Sequence, residues 1–175
     1  SICVIPARGG SKRIPRKNIK VFHGKPLIAW SIEVAKSSGL FDAVYISTDD
    51  EEIARVAKGY GAIIPFLRPV NLSDDFTSDK EVRNHFIEWM KDNKIEADTL
   101  CYLYATAPFI THKTLRECQQ LLIDSGSLMA LTVTKYDYPV LRSLKREESG
   151  LLSFMWDEYA SSRSQDLPEL LHDAG

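Results

Sequence analysis

The sequence predicts an α/β fold with a mostly parallel sheet. The main observation is that strand-like and helix-like segments alternate along the chain, which is the pattern of successive β-α-β units. The second observation is composition, because 175 residues, 44% hydrophobic and 26% charged, suffice for a globular domain with a sizeable core. No internal repeat or low-complexity tract interrupts the pattern. We therefore expect residues 1–175 to form a single domain.

The first half of the chain predicts strands and helices in alternation. Residues 2–5 are a short apolar run, typical of a buried strand. A helix is expected from about Pro26, a residue suited to the first helical turn, to a stop at Gly39. Strand 43–47 leads into Thr-Asp-Asp-Glu at 48–51, which has the spacing of a capping box. The elements that follow are a helix ending at Gly61 and a third strand at 62–66.

The second half begins with a long polar segment at 67–80, and a loop of this length is expected to have a function. A helix with apolar residues on one face follows, and then strand 99–104. Thr114 and Glu117 have capping-box spacing and predict the start of another helix. Strand 128–134 completes the regular part. Beyond it, the charged stretch 145–149 and Gly150 predict a β-hairpin excursion, after which we expect the domain to be cut short at its C-terminal end.

The charge distribution argues against two classes of protein. The net charge is −2, and the excess of positive charge is confined to one segment, so a protein that coats nucleic acid or a membrane surface is not expected. No apolar run approaches the ~20 residues of a membrane span, and no signal-peptide pattern opens the chain. We therefore expect a cytoplasmic protein with neither nucleic acid nor a membrane as its partner.

The segment after the first strand is dense in positive charge. Seven basic side chains lie between Arg8 and Lys25, and the first acidic residue is Glu33. Gly9 and Gly10 permit positive φ angles and a close approach of the backbone to a ligand. Backbone amides in a glycine-rich turn form a concavity that binds anions. The loop is therefore expected to bind phosphate.

Two common phosphate-binding designs do not fit this loop. A Walker A loop needs G-x-x-x-x-G-K-[ST], which is not the spacing around Gly9 and Gly10. A dinucleotide fingerprint opens directly into a helix, whereas Pro15 discourages a helix here. What remains is a longer loop in which Arg8 and Lys17 act as charged clamps, a design suited to a triphosphate. The alternative is a solvated basic loop without a ligand.

The residues of this loop resemble a known family. Residues 5–12, Ile-Pro-Ala-Arg-Gly-Gly-Ser-Lys, with Ile-Pro at 14–15 and Lys-Asn-Ile at 17–19, resemble the N-terminal signature of the CMP-acylneuraminate synthetases. These are the cytidylyltransferases that activate nonulosonic acids. The resemblance covers the whole chain and includes segments 39–42, 47–49, 106–108 and 163–166. It implies a Rossmann-like nucleotidyltransferase fold of the GT-A-like type, with three layers.

One departure favours the pseudaminic acid cytidylyltransferase branch of that family. Sialic-acid synthetases usually carry Gln at the end of the fourth strand, where this chain has Tyr104. Segments 136–139 and 172–175 are also similar to the pseudaminic acid branch. The resemblance implies transfer of CMP from CTP to the anomeric hydroxyl of an acidic nine-carbon sugar, with release of pyrophosphate. N-acetylneuraminate and legionaminate remain open as the sugar, and a non-catalytic nucleotide- or RNA-binding module is a more distant alternative. Against that module, Phe22 is the only aromatic residue interleaved with the basic run.

The resemblance also assigns roles to residues. Three side chains are implied as catalytic: Arg8 and Lys17 at the triphosphate, and Arg163 near the acidic sugar. The implied nucleotide contacts are Ala7, Gly9, Ser11, Asn18, Arg68, Ser78 and Tyr104. Mg²⁺ is the implied cofactor, with Asp173 as a ligand and the other ligands beyond residue 175. We expect Asp49 to cap a helix and the pair at 74–75 to be solvated.

Finally, the family typically forms homodimers, in which an excursion after the fifth strand crosses to the partner. Here that excursion is roughly residues 135–162. Its apolar side chains at 151–156 are consistent with a buried partner surface. Packing on their own domain would also explain them. We expect the excursion to take part in dimerisation and to complete the sugar pocket.

Overall fold

A parallel sheet lies at the centre of the first of two compact units. The computed structural model describes residues 1–174, which divide into unit 1 (Ser1–Ala130) and unit 2 (Leu131–Ala174). The strands of unit 1 are β1 (Ile2–Pro6), β2 (Val21–Phe22), β3 (Lys25–Pro26), β4 (Ala43–Ser47) and β5 (Leu100–Tyr102). The central sheet has the order β4-β1-β5 and all its strands are parallel, while β2 and β3 form a short antiparallel pair. The predicted α/β class is therefore confirmed.

Helices cover both faces of this sheet. They are α1 (Leu27–Ser37), α2 (Glu51–Gly59), α3 (Asp79–Asp92) and α4 (His112–Ser125). Alternate side chains of β1 point to opposite faces, so Ile5 packs with buried residues of α1 and α2, and Val4 packs with Phe86 of α3. The α4 helix lies beside α1. Unit 1 thus has the three layers that were expected.

Two helices begin at residues other than the predicted caps. Asp50, not Thr48, is the N-cap of α2, because its backbone is extended and its carboxylate accepts the Ile53 amide at 2.9 Å. Thr111 caps α4 three residues before the predicted cap, which places Thr114 inside the first turn. The expectation that Asp49 caps a helix was therefore wrong. The side chain of Asp49 is used elsewhere in the site.

Two predicted strands are also corrected. Residues 62–66 make one isolated bridge, Ile63 with Tyr45, and the next residue makes another, Leu67 with Thr48. Residues 128–132 form no strand, and Leu128 is fully exposed. Only Val133–Lys135 (β6) pairs, and it pairs in unit 2 with Leu171–Asp173 (β9), in the antiparallel sense. An apolar run becomes a buried strand only where a neighbouring strand and a covering layer receive it.

Unit 2 contains a hairpin at the predicted place. Strands β7 (Leu144–Arg146) and β8 (Leu152–Phe154) pair antiparallel, and the turn between them includes Gly150 at φ +85°. That backbone angle favours glycine because it lacks a Cβ. The hairpin is confirmed, while its role in dimerisation stays a prediction. Across residues 1–174, no helix is long and apolar enough to cross a membrane.

Candidate functional site

A polar cleft lies at the carboxyl ends of the strands of unit 1. Its volume is about 490 Å³, and ligands of open parallel sheets usually bind at this edge. The lining residues that carry polar groups are Arg8, Ser11, Lys12, Arg13, Lys17, Asn18, Arg68, Asp74, Asp75, Thr77, Asp79, Tyr104 and Thr106. Six of the predicted site residues, Arg8, Ser11, Lys17, Asn18, Arg68 and Tyr104, therefore share one cleft.

The basic side of the cleft is the loop that follows β1. A short 3-10 turn at Lys17–Ile19 ends this loop and buries Asn18. The Asn18 side-chain amide donates to the Arg8 carbonyl at 2.9 Å, which ties the two ends of the loop together. Asn18 therefore holds the backbone of a predicted triphosphate clamp.

Ala7 and Gly9, two of the implied nucleotide contacts, use their backbone amides within the protein. The Ala7 amide donates to the Ser47 carbonyl at 2.9 Å and its side chain is buried in the core. The Gly9 amide donates to Asp49 Oδ1 at 2.9 Å. In the free protein both N–H groups are thus bonded to protein acceptors, a strand carbonyl and a carboxylate, and the nucleotide contacts of Ala7 and Gly9 stay predictions.

Gly9 is needed for close approach and not for a positive φ. A Cβ on Gly9 would lie 2.7 Å from Asp50 Oδ2, whereas a Cβ on Gly10 would meet nothing within 4 Å. Neither glycine has a positive φ, and the residue of this loop that does is Arg16, at φ 56°. The tight contact between Gly9 and Asp50 brings the loop directly against the start of α2.

An ion pair fastens the loop at the same point. Arg16 donates to both carboxylate oxygens of Asp50, at 2.5 and 3.0 Å, and also pairs with Glu52. The Arg16 hydrogen bonds lower the pKa of Asp50 to about 2. Asp50 thus caps α2, binds Arg16 and contacts Gly9, which fixes the basic loop to a rigid helix.

Arg68 supplies a buried cation. Its guanidinium lines the cleft although the residue is only 5% exposed. Its Nε donates to Ser73 Oγ at 3.2 Å, and Nη2 lies 3.8 Å from Asp49 Oδ1. Burial lowers the pKa of Arg68, and the Asp49 charge opposes that shift. Arginine remains protonated in proteins, so this side chain brings a fixed positive charge to the cleft.

The opposite side of the cleft carries carboxylates. Arg8 Nη2 donates to Asp75 Oδ1 at 2.7 Å and Nη1 donates to the Asp74 carbonyl at 2.6 Å. Lys12 pairs with the second oxygen of Asp75. Asp74 and Asp75 are exposed, as the expectation of a solvated pair has it, and they also bind the cations of the basic loop.

Asp79 is a residue of the cleft that the sequence reasoning missed. It is the first residue of α3, and its carboxylate accepts the hydroxyl of Tyr104 at 2.5 Å and that of Tyr102 at 3.2 Å. Burial and the Asp79 charge raise the pKa of Tyr102. The signal was available in the sequence, because residues 78–81 have the spacing of a capping box and so place Asp79 at a helix N-terminus.

Ser78 does not line the cleft. It is the N-cap of α3, where its hydroxyl accepts the Glu81 amide at 3.3 Å while Glu81 accepts the Ser78 amide at 2.7 Å. The hydroxyl also donates to the Glu81 carboxylate. In the free protein Ser78 therefore caps the helix, and its contact with the nucleotide stays a prediction.

The remaining predicted residues lie in unit 2. Arg163 is exposed and donates through Nε and Nη2 to both oxygens of Asp166, at 2.6 and 3.2 Å. Asp173 is exposed on β9, opposite Val133. Neither is among the residues that line the cleft of unit 1. Within residues 1–174, no group of three or more His, Cys, Asp or Glu side chains could hold a metal ion, so Asp173 does not belong to such a cluster.

The arrangement suits a ligand with several negative charges. Five cations from two segments line the same cleft: Arg8, Lys12, Arg13, Lys17 and Arg68. Arginine forks bind phosphate through paired hydrogen bonds, and lysine adds a point charge. Such cations stabilise a transition state in which negative charge develops on phosphate oxygens.

Comparison with known proteins extends this finding. The sequence model of the cytidylyltransferase family matches residues 2–142. The pseudaminic acid cytidylyltransferase of Campylobacter jejuni subsp. jejuni serotype O:2 is 46% identical over 175 residues, which are 100% of this chain and 75% of that protein. The CMP-N,N'-diacetyllegionaminic acid synthase of Legionella pneumophila subsp. pneumophila is 36% identical over 69% of this chain and 52% of its own length.

The fold has a close counterpart among solved structures. CMP:2-keto-3-deoxy-manno-octonic acid synthetase, complexed with CTP, aligns with a TM-score of 0.65 and 22% identity, over 99% of this chain and 71% of that one. At this level of identity, the likeness shows a shared fold. Together with the family match over most of the sequence and the full-length similarity, it follows that the chain belongs to the cytidylyltransferase family.

Proposed function

We propose that the protein transfers CMP from CTP to the anomeric hydroxyl of pseudaminic acid and releases pyrophosphate. The observation that carries the proposal is the cleft of unit 1, which gathers Arg8, Lys17 and Arg68 with Ser11 and Asn18. The choice of sugar is supported by 46% identity along the whole chain to a pseudaminic acid cytidylyltransferase. The legionaminic acid synthase is less similar and matches over a shorter stretch. Legionaminate and N-acetylneuraminate are the rival sugars.

The protein's part in this reaction is to position charge. A bond forms between the anomeric oxygen and the α-phosphorus, and the bond from that phosphorus to the bridging oxygen of pyrophosphate breaks. Negative charge increases on the phosphate oxygens as the leaving group departs, so Arg8 and Lys17 would stabilise the transition state more than the bound CTP. Arg68 adds a positive charge whose position is fixed, because its side chain is buried. Asn18 preserves the loop geometry through the Arg8 carbonyl.

Mg²⁺ remains a prediction of the family resemblance. When bound, it would neutralise phosphate charge and act as a Lewis acid. The described residues do not form the predicted site by themselves, because they contain no cluster of ligands and Asp173 stands alone among the predicted ligands. We therefore assign no step to the metal.

Arg163 is proposed to recognise the carboxylate of the sugar. In the free protein its guanidinium already holds the Asp166 carboxylate with two hydrogen bonds, which is the fork geometry that any carboxylate would receive.

The homodimer is likewise a proposal. It is supported by exposed apolar side chains in the 135–162 excursion, Tyr136, Tyr138, Leu144, Leu151, Leu152 and Met155, because exposed apolar clusters mark contact surfaces.

The substrate is tested by offering the protein CTP and Mg²⁺ with one acid at a time. The four acids are pseudaminic, N-acetylneuraminic, legionaminic and 3-deoxy-manno-octulosonic acid, and mass spectrometry detects the CMP-sugar. We expect product with pseudaminic acid alone. Product with another acid only would overturn the substrate and keep the chemistry. No product with any of them would overturn the proposed function.

A further inference from the structure

Two basic side chains of the cleft, Arg8 and Lys12, bind the same carboxylate. Asp75 accepts from Arg8 with one carboxylate oxygen and pairs with Lys12 through the other. The hydrogen bond from Lys12 and, to a smaller extent, the one from Arg8 lower the pKa of Asp75. A carboxylate bound between two cations presents the same chemistry as a phosphate group, with negative oxygens that accept charged hydrogen bonds.

The segment that carries Asp75 is shaped from within. We call residues 69–77 the acidic loop. Its Asp74 carboxylate accepts the amides of Phe76 and Thr77, at 2.9 and 2.7 Å, and the Thr77 hydroxyl. The loop begins after Arg68, whose amide is bonded to Thr48 at 2.7 Å, and it ends at the cap of α3. This local order presents Asp75 to the basic side of the cleft.

Burial does little to hold the acidic loop in place. Two of its large apolar side chains face solvent, since Val70 is 88% exposed and Phe76 is 94% exposed, while Leu72 is half-buried. The polar contacts that tie it to the rest of unit 1 are those of Arg68 with Ser73 and those of Arg8 and Lys12 with the 74–75 pair. Segments with few buried apolar contacts open at low free-energy cost. An anion that binds Arg8 and Lys12 in place of Asp75 would therefore break most of the polar contacts between the acidic loop and the rest of unit 1.

We propose that Asp75 sets the affinity of the cleft by competing with the phosphate groups of the nucleotide for Arg8 and Lys12. The inference rests on the proposed function, because the competing phosphates are those of CTP. A triphosphate has several negative groups and displaces a single carboxylate, whereas a CMP-sugar has one phosphate and competes less well. Asp75 thus favours triphosphate over product and returns the cleft to its free state after turnover.

The test is the affinity of an Asp75→Asn variant for CTP, measured by titration calorimetry without sugar. Asparagine keeps the size of the side chain and removes the charge that binds both cations. We expect the dissociation constant to fall about tenfold, which corresponds to about 1.4 kcal/mol, because the phosphates no longer compete with a carboxylate for the two cations. The matched control is Asp92→Asn, the same charge change at the far end of α3, which we expect to leave the constant within about twofold.

A second titration, with inorganic tripolyphosphate, separates this inference from the proposed function. Tighter tripolyphosphate binding by Asp75→Asn, in a protein that forms no CMP-sugar, would leave the competition intact and overturn the reaction. Normal CMP-sugar synthesis with unchanged or weaker CTP binding by Asp75→Asn would overturn the competition alone. In a Lys12→Ala background, the gain from Asp75→Asn should be smaller, and an undiminished gain would contradict the shared contact.

Discussion

Gly9 and Gly10 are neighbours in the sequence with opposite surroundings. Gly9 donates its amide to Asp49 and leaves no room for a side chain, because Asp50 lies against its Cα. Gly10 is exposed, and a Cβ there would meet nothing. Close packing therefore requires glycine at position 9, whereas position 10 has room for a side chain.

We expect Gly9→Ala to destabilise the protein by about 1–3 kcal/mol, since a contact of 2.7 Å forces Asp50 or the loop to move. The same shift should weaken CTP binding. Gly10→Ala is the matched control and should change the free energy of unfolding by less than about 0.5 kcal/mol. Urea denaturation of both variants measures the difference, and equal stabilities would show that the contact with Asp50 is not restrictive.

At this scale, the sequence indicated the cations and not their partners. The run of basic residues after an apolar strand sufficed to predict Arg8 and Lys17 at an anion site, and both line the cleft. Asp75 is 67 positions from Arg8, so their contact depends on the path of a long loop that no local pattern specifies. The resemblance implied nucleotide contacts for Ser78 and Ala7, and in the structure Ser78 also caps a helix and the Ala7 side chain lies in the core.

Among the elements, the start of α2 anchors the basic loop of the site. Asp50 caps the helix, and its second role is to hold Arg16, a residue with a positive φ of 56°. The capping pattern at 48–51 located this helix start within two residues, but it could not identify which side chain caps. That choice depends on which residue has extended backbone angles, and here the glycine contact and the Arg16 pair favour Asp50.

The stability that Asp50 contributes should depend on pH in a defined direction. Its pKa is about 2 in the folded protein against an ordinary value of 3.8, so the folded state favours the charged form. The contribution is present above about pH 4 and is lost as the pH falls toward 2. Asp50→Asn keeps a good capping residue and removes only the charge, so we expect it to cost roughly 1 kcal/mol at pH 7, a value kept small because the pair is partly exposed.

Urea unfolding at pH 7 and pH 2.5 measures this dependence. The difference between the wild type and Asp50→Asn should shrink at the lower pH, where protonation weakens the ion pair in the wild type as well. Glu88→Gln, an exposed position in the middle of α3, controls for the loss of one negative charge. A difference that is the same at both pH values would contradict the role of the Arg16 pair.

For the whole molecule, local patterns predicted the fold class better than the extent of the sheet. Alternation of segments was enough to predict a mostly parallel sheet with helices, and the family resemblance implied the three layers that unit 1 has. Residues 62–66 and 128–134 were predicted as strands because they are apolar. In the structure, residues 62–66 make an isolated bridge, and only the end of the 128–134 segment pairs, within unit 2. Pairing depends on distant partners, which a short apolar run does not reveal.

We expect the basic cleft of unit 1 to bind and activate CTP, and the activity of Arg8→Ala tests this directly. Pyrophosphate release from CTP and pseudaminic acid is compared with that of Arg55→Ala, an exposed arginine on α2, and circular dichroism verifies that both variants fold. We expect kcat of Arg8→Ala to fall about 10²–10³-fold, the cost of removing one donor from a developing charge, while Arg55→Ala keeps wild-type rates. A near-normal rate for Arg8→Ala would contradict the assignment of the cleft.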